Sequence, residues 1–120
     1  MNSHKNDEIT KKFISDDKFL KNNCFTDSLD TENIIKLLKD KPYLLNQPQD
    51  KFGLTILYRA VVNKNYNLCE YLLENNADPN IKNVNGETPL HQAIDIENNK
   101  IINLLLEKGA NPNATTNVSL

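Results

Sequence analysis

Apolar positions in this chain fall in short runs with helical spacing, and two of the runs superimpose. Leu68, Cys69, Tyr71, Leu72 and Leu73 stand 33 residues before Ile101, Ile102, Leu104, Leu105 and Leu106. At 100° per residue each run spans an arc of roughly 200°, well over the ~100° stripe of a helix that buries one side only. Both helices therefore read as internal to a stack. The register extends beyond them, because Asp50–Lys82 lies over Asn83–Thr115 without a gap. Identities fall at Gly53/Gly86, Thr55/Thr88, Leu57/Leu90, Ala60/Ala93, Asn65/Asn98, Leu72/Leu105, Leu73/Leu106, Glu74/Glu107, Ala77/Ala110, Pro79/Pro112 and Asn80/Asn113. They occupy turn glycines, helix starts and apolar seams. A sustained period of this length predicts a solenoid, in which each unit buries its apolar face only against its neighbours.

Local chemistry supports the same elements. Thr88 can accept a backbone N–H as an N-cap, and Pro89 suits the first helical position, whose N–H has no partner anyway. Gly53 and Gly86 fit a tight turn with positive φ. Gly109 can close a helix in the left-handed conformation, and Asn76 is the next best residue for that place. Ala60 and Ala93 are small enough for two helices to approach closely. The predicted elements are helices over about 55–63, 67–75, 88–96 and 100–108, with a β-type turn over about 77–87.

Upstream the pattern is weaker. Ile34, Ile35, Leu37 and Leu38 make one face of a helix beginning near Asp30 as N-cap, with Glu32 in its first turn and Pro42 to stop it. It resembles the second helix of a diverged first repeat. Ile9, Phe13, Ile14, Phe19 and Leu20 predict a further helix, or two broken near Ser15–Asp17. Residues 1–49 are thus expected to form a helical N-terminal cap with a diverged first repeat, followed by repeats over 50–82 and 83–115. Residues 116–120 are a tail or the start of a further unit.

The motif residues carry a family resemblance. Gly86-Glu87-Thr88-Pro89-Leu90-His91-Gln92-Ala93 resembles the G-x-T-P-L-H-x-A signature of the ankyrin repeat. Leu105-Leu106-Glu107-Lys108-Gly109-Ala110-Asn111-Pro112-Asn113 resembles the family's L-L-x-x-G-A-[DN]-x-N ending. The preceding unit is a looser copy, with Ile56 in place of the Pro and Tyr58 in place of the His. The resemblance implies an all-α ankyrin-repeat solenoid of stacked helix-turn-helix units with β-type turns. It also gives His91 a structural role, hydrogen-bonding neighbouring turns and repeats.

Composition narrows the function. The 120 residues carry a net charge of −2, which argues against nucleic acid or an anionic membrane as the main partner. No stretch approaches the ~18 apolar residues of a membrane span, and Met1–Thr10 has no signal-peptide core. The cations are thirteen Lys and one Arg, Arg59, and twenty residues are Asn, a skew that reads as codon bias of an AT-rich genome. Cys24 and Cys69 make neither a disulfide framework nor a metal cluster. Cys69, in the place of Ile102, reads as a buried inert thiol. The two N-x-[ST] matches at Asn113 and Asn117 read as chance in so Asn-rich a chain. No Cys/His pair, glycine-rich phosphate loop or paired-carboxylate pattern appears, so no catalytic, cofactor or metal residues are expected.

Recognition remains. The family resemblance implies that a protein partner is met by turn tips and by the inner face of each unit's first helix. In one unit those places are Lys51, Phe52, Leu54, Val62 and Asn63, and in the next Lys82, Val84, Asn85, Glu87, Asp95 and Ile96. Phe52, Leu54, Val62, Val84 and Ile96 are apolar where solvated tips are usually Asp, Asn, Lys or Gly, and such a patch commonly marks a binding site. Packing of Phe52 and Leu54 on the N-terminal cap is the alternative. The expected role is an adaptor or a secreted effector in the cytoplasm, the host cytosol in the second case. A stoichiometric inhibitor and the targeting segment of a larger enzyme stay open. Finally, Ile94, Ile101 and Leu104 are expected on an uncovered C-terminal edge, which a homodimer would hide.

Overall fold

The computed structural model describes residues 28–116. Their elements are α1 (Ser28–Asp40), a 3₁₀ turn (Pro42–Leu44), α2 (Ile56–Val62), α3 (Tyr66–Glu74), α4 (Pro89–Asp95) and α5 (Asn99–Glu107). The helices expected upstream, around Ile9 to Leu20, lie outside the described residues.

Each of the last four helices is fixed at both ends by the same devices. At the start, the side-chain oxygens of Thr55, Asn65, Thr88 and Asn98 accept the backbone N–H of Tyr58, Leu68, His91 and Ile101. Each bond satisfies a first-turn donor that has no partner within the helix. At the end, the chain passes through a left-handed residue: Lys64 (φ 58°), Asn76 (φ 78°), Glu97 (φ 58°) or Gly109 (φ 98°). The following N–H then returns to a carbonyl of the last turn, from Asn65 to Ala60 at 2.9 Å, Ala77 to Leu72 at 2.9 Å, Asn98 to Ala93 at 3.0 Å and Ala110 to Leu105 at 2.9 Å. This is the Schellman closure. Asn76 and Gly109 are legible as such from sequence, whereas Lys64 and Glu97 are not.

The stack follows from these short units. α2 pairs with α3 and α4 with α5, each across a three-residue turn. The first helices then lie side by side, α2 on α4, and so do the second helices, α1 on α3 and α3 on α5. Asn65 ties two units together by donating from Nδ2 to the Thr31 hydroxyl at 2.8 Å. Ile34, Ile56, Leu57, Leu68, Leu72, Ile101 and Leu105 form the core with essentially no exposure. α1 begins at Ser28, so Asp30 lies inside the helix and not at its cap. An acidic residue suits the first turn as well as the cap, so residue type alone does not separate the two positions.

Ala60 and Ala93 are both 0 % exposed. They sit on first helices that lie side by side in the stack. Ala93→Leu is expected to overpack this contact and cost about 1–3 kcal/mol, with Ala93→Ser milder. Chemical denaturation reads the difference directly. An Ala93→Leu chain with the wild-type midpoint would remove Ala93 from the helix–helix contact.

The apolar edge differs from expectation. Ile101 (0 %) and Leu104 (5 %) are buried, and Ile94 (54 %) is exposed. The broad arc of α5 explains the error. Its Ile101, Leu104 and Leu105 are spent within the stack, which leaves Ile102 half-buried and Leu106 exposed on the outer side.

Candidate protein-binding surface

The turn tips are built by carboxylate and amide side chains that grip the backbone. Asp50 Oδ1 accepts the N–H of Phe52 at 2.9 Å and of Leu54 at 3.2 Å. One unit on, Asn83 Oδ1 accepts the N–H of Asn85 at 2.9 Å and of Glu87 at 3.0 Å. Gly53 (φ 75°) and Gly86 (φ 78°) complete the turns in the left-handed region. A Cβ at Gly53 would also stand 3.2 Å from the Val84 nitrogen. That close approach lets the two tips join, the Val84 N–H donating to the Phe52 carbonyl at 2.9 Å.

The first tip is anchored further inside. The second oxygen of Asp50 takes the guanidinium of Arg59, and both side chains are nearly buried. In the next unit the corresponding places hold Asn83 and Gln92, a neutral pair. Sequence reading missed this ion pair. The available signal was a single Arg among thirteen Lys, because a buried, multiply bonded cation favours guanidinium over ammonium.

The eleven expected surface residues divide into two groups. Lys51, Phe52, Leu54, Lys82, Val84, Asn85 and Glu87 belong to the tips. Val62, Asn63, Asp95 and Ile96 lie at the far ends of α2 and α4, about 10 Å away at 1.5 Å per residue. Phe52 (54 %) and Val84 (57 %) are exposed, and the Lys51 ammonium stands 5.3 Å from the centroid of the Phe52 ring. Leu54 and Val62 are half-buried. Ile96 is half-buried as well and packs against the core. Lys82 donates to the Thr115 carbonyl at 3.2 Å, and Glu87 accepts from Asn83 Nδ2 at 3.1 Å. Lys51, Asn85 and Asp95 are exposed, and Asn63 is half-buried at the end of α2.

His91 and Tyr58 support this surface from within. The Thr88 N–H donates to His91 Nδ1 at 2.9 Å, so the ring proton lies on Nε2, which donates to the Ala114 carbonyl at 2.9 Å. The ring thereby links a helix start to the next turn, as the resemblance implied. Tyr58, in the same place one unit earlier, donates its hydroxyl to Gln92 Oε1 at 3.2 Å. Burial, helped by the nearby Glu87 and Asp95 carboxylates, pushes the Tyr58 hydroxyl from its ordinary 10.0 up to about 12. Burial likewise pushes the Cys69 thiol from 9.0 up to about 12.

Both groups are neutral when protonated, and the fold holds their protons more tightly than the unfolded chain does. Their contribution to stability is therefore complete below about pH 9 and is lost as pH rises towards 12. Each group contributes a slope of at most ~1.4 kcal/mol per pH unit. In Cys69→Ala the decline should begin near pH 10 instead of near pH 9. Urea midpoints between pH 8 and 11 test this. Identical pH profiles for the two chains would show that Cys69 is not held protonated by burial.

No helix among the described residues is long and apolar enough to cross a membrane. The described fold is a stack of helix pairs with joined, gripped turn tips, the form of a repeat scaffold that displays a surface. The family model for ankyrin repeats, three copies, matches residues 3–116. The chain belongs to the ankyrin repeat family. Its repeats are generally protein–protein interaction modules, and the family is typically non-catalytic. A protein of Rickettsia bellii (strain RML369-C), named as an ankyrin repeat protein, is 43 % identical over 42 residues, which is 35 % of this chain and 12 % of that protein. The chain thus matches only a small part of that relative's length.

Proposed function

We propose that this chain is a non-catalytic adaptor or effector that binds a protein partner through its joined turn tips, in the cytoplasm of the cell where it acts. The observation that carries this reading is the pair Phe52 and Val84. These two large apolar side chains are more than half exposed, yet they are carried by backbone held through Asp50, Asn83 and the bond between the tips. Rigid apolar anchors lose little entropy on binding, and interface energy concentrates in such groups. Lys51, Lys82, Asn85 and Glu87 form a polar rim around them. Val62, Asn63, Asp95 and Ile96 extend the surface along the first helices. On this proposal the chain comprises a helical N-terminal cap with a diverged first repeat over 1–49, repeats over 50–82 and 83–115, and a tail or the start of a further unit over 116–120.

Phe52→Ala is expected to weaken partner binding by ~1–3 kcal/mol and to leave the melting temperature nearly unchanged. Affinity capture with wild-type and Phe52→Ala/Val84→Ser chains, compared by mass spectrometry, identifies partners that depend on the tips. The surface is wrongly placed if the variant captures every wild-type partner equally, or if its stability falls as far as its binding.

A further inference from the structure

The tip and first helix of the two repeats occupy the same places but carry opposite charge. Asp50–Lys64 bears Asp50, Lys51, Arg59 and Lys64, a net +2. Asn83–Glu97 bears Glu87, Asp95 and Glu97, a net −3, because His91 accepts at Nδ1, donates from Nε2 and is neutral. Asp50 and Arg59 pair with each other inside the fold, so the charge of the α2 unit rests on the exposed Lys51 and Lys64. In the α4 unit Asp95 and Glu97 are exposed and Glu87 is half-buried. Lys64 and Glu97 stand at one place of the repeat, both at φ 58°. Lys82, one residue before the second segment, donates to the Thr115 carbonyl and reduces the step without reversing it. Glu87 and Asp95 both help to raise the Tyr58 hydroxyl, which places both carboxylates near α2.

We propose that the partner segment is bipolar. It crosses the stack with acidic side chains over the α2 unit, basic side chains over the α4 unit, and an apolar residue between them against Phe52 and Val84. This rests on the tip reading above and adds the partner's charge order to it. Packed helices stand about 8–10 Å apart, comparable with the ~8 Å screening length at physiological ionic strength. Each unit is therefore sensed separately. A wholly acidic segment gains at Lys51 and Lys64 but meets Glu87, Asp95 and Glu97, and a wholly basic one meets the reverse. Like charges brought together suppress wrong partners, and complementary ones fix register. Extended chain at ~3.3 Å per residue covers the distance between units in about three residues, so acid and base should lie about that far apart.

Roughly 12-residue random peptides displayed on phage, several times that span, and selected on the immobilised full chain, test the proposal. Selected sequences are expected to carry acid and base on opposite sides of an apolar residue. The exchange Lys64→Glu/Glu97→Lys keeps the net charge and puts at each site a side chain that its counterpart already carries at the same φ. It should keep the wild-type circular dichroism and melting and weaken the selected peptides about tenfold, read by fluorescence polarisation. Peptides that depend on Phe52 but show no charge order, or that bind the exchanged chain equally well, overturn the bipolar partner and leave the tip reading standing. Charge-ordered peptides that ignore Phe52→Ala/Val84→Ser overturn the tips as the anchor. The proposal is also overturned if no peptide is enriched, or if light scattering shows the wild type alone approaching twice 13.7 kDa through a contact that the exchange abolishes, because the occupant is then a second copy.

Discussion

Asp50→Ala is expected to destabilise the fold by about 3–5 kcal/mol, the range for removing one partner of a buried ion pair. The carboxylate does two jobs. One oxygen holds the Phe52 and Leu54 N–H groups that shape the tip, and the other meets Arg59, which is 3 % exposed. Alanine would leave a buried guanidinium without its carboxylate and release the tip backbone. The neighbouring repeat supplies the control. Asn83 keeps the same two tip bonds without charge, and Gln92 stands where Arg59 does. Asp50→Asn alone should therefore retain the tip and lose the charge partner, at an intermediate cost. The double variant Asp50→Asn/Arg59→Gln copies the neutral pair and should recover most of the loss, because removing both charges also removes their desolvation cost. A double-mutant cycle read by urea denaturation gives the coupling. Strictly additive losses would show that the pair contributes nothing as a pair.

The same comparison of units shows what the sequence could disclose. Period, capping and closure signals lie within single segments, so Thr55, Thr88, Asn76 and Gly109 are readable and the repeat helices fall within one or two residues of expectation. Lys64 and Glu97 carry no left-handed signal. They adopt positive φ where the Schellman bonds from Asn65 and Asn98 close the two hairpins. Asp50–Arg59 is a contact between a loop and a helix, and spacing alone does not announce it. The apolar tip residues were legible as a group, but exposure separates them. Phe52 and Val84 stand out from the tips, whereas Leu54, Val62 and Ile96 are partly withdrawn. Residue type reports hydrophobicity. It does not report which side of a wide apolar arc a neighbour covers, and that also misplaced Ile101 and Leu104.

Leu72→Ala is expected to cost more than Leu105→Ala, although both side chains are 0 % exposed and occupy the same place in successive repeats. Replacing a buried Leu by Ala generally costs 2–5 kcal/mol, and the spread depends on how far the surroundings can collapse into the space. Leu72 lies on α3, held between α1 and α5. Its cavity is walled on both sides, which places it at the upper end, about 4–5 kcal/mol. Leu105 lies on α5, whose outer side carries the half-buried Ile102 and the exposed Leu106. These neighbours can shift inward, so the loss should be nearer 2–3 kcal/mol. The distribution of the damage should differ too. Coupling in a stack runs only between adjacent units, so Leu105→Ala should accelerate amide exchange in α4 and α5 and leave α1 to α3 protected. Leu72→Ala should loosen the units on both sides. Denaturation at low micromolar concentration gives the energies, and hydrogen exchange gives the location. Equal costs with uniform exchange would mean that the repeats unfold as one block and that the outer face is as well supported as the interior.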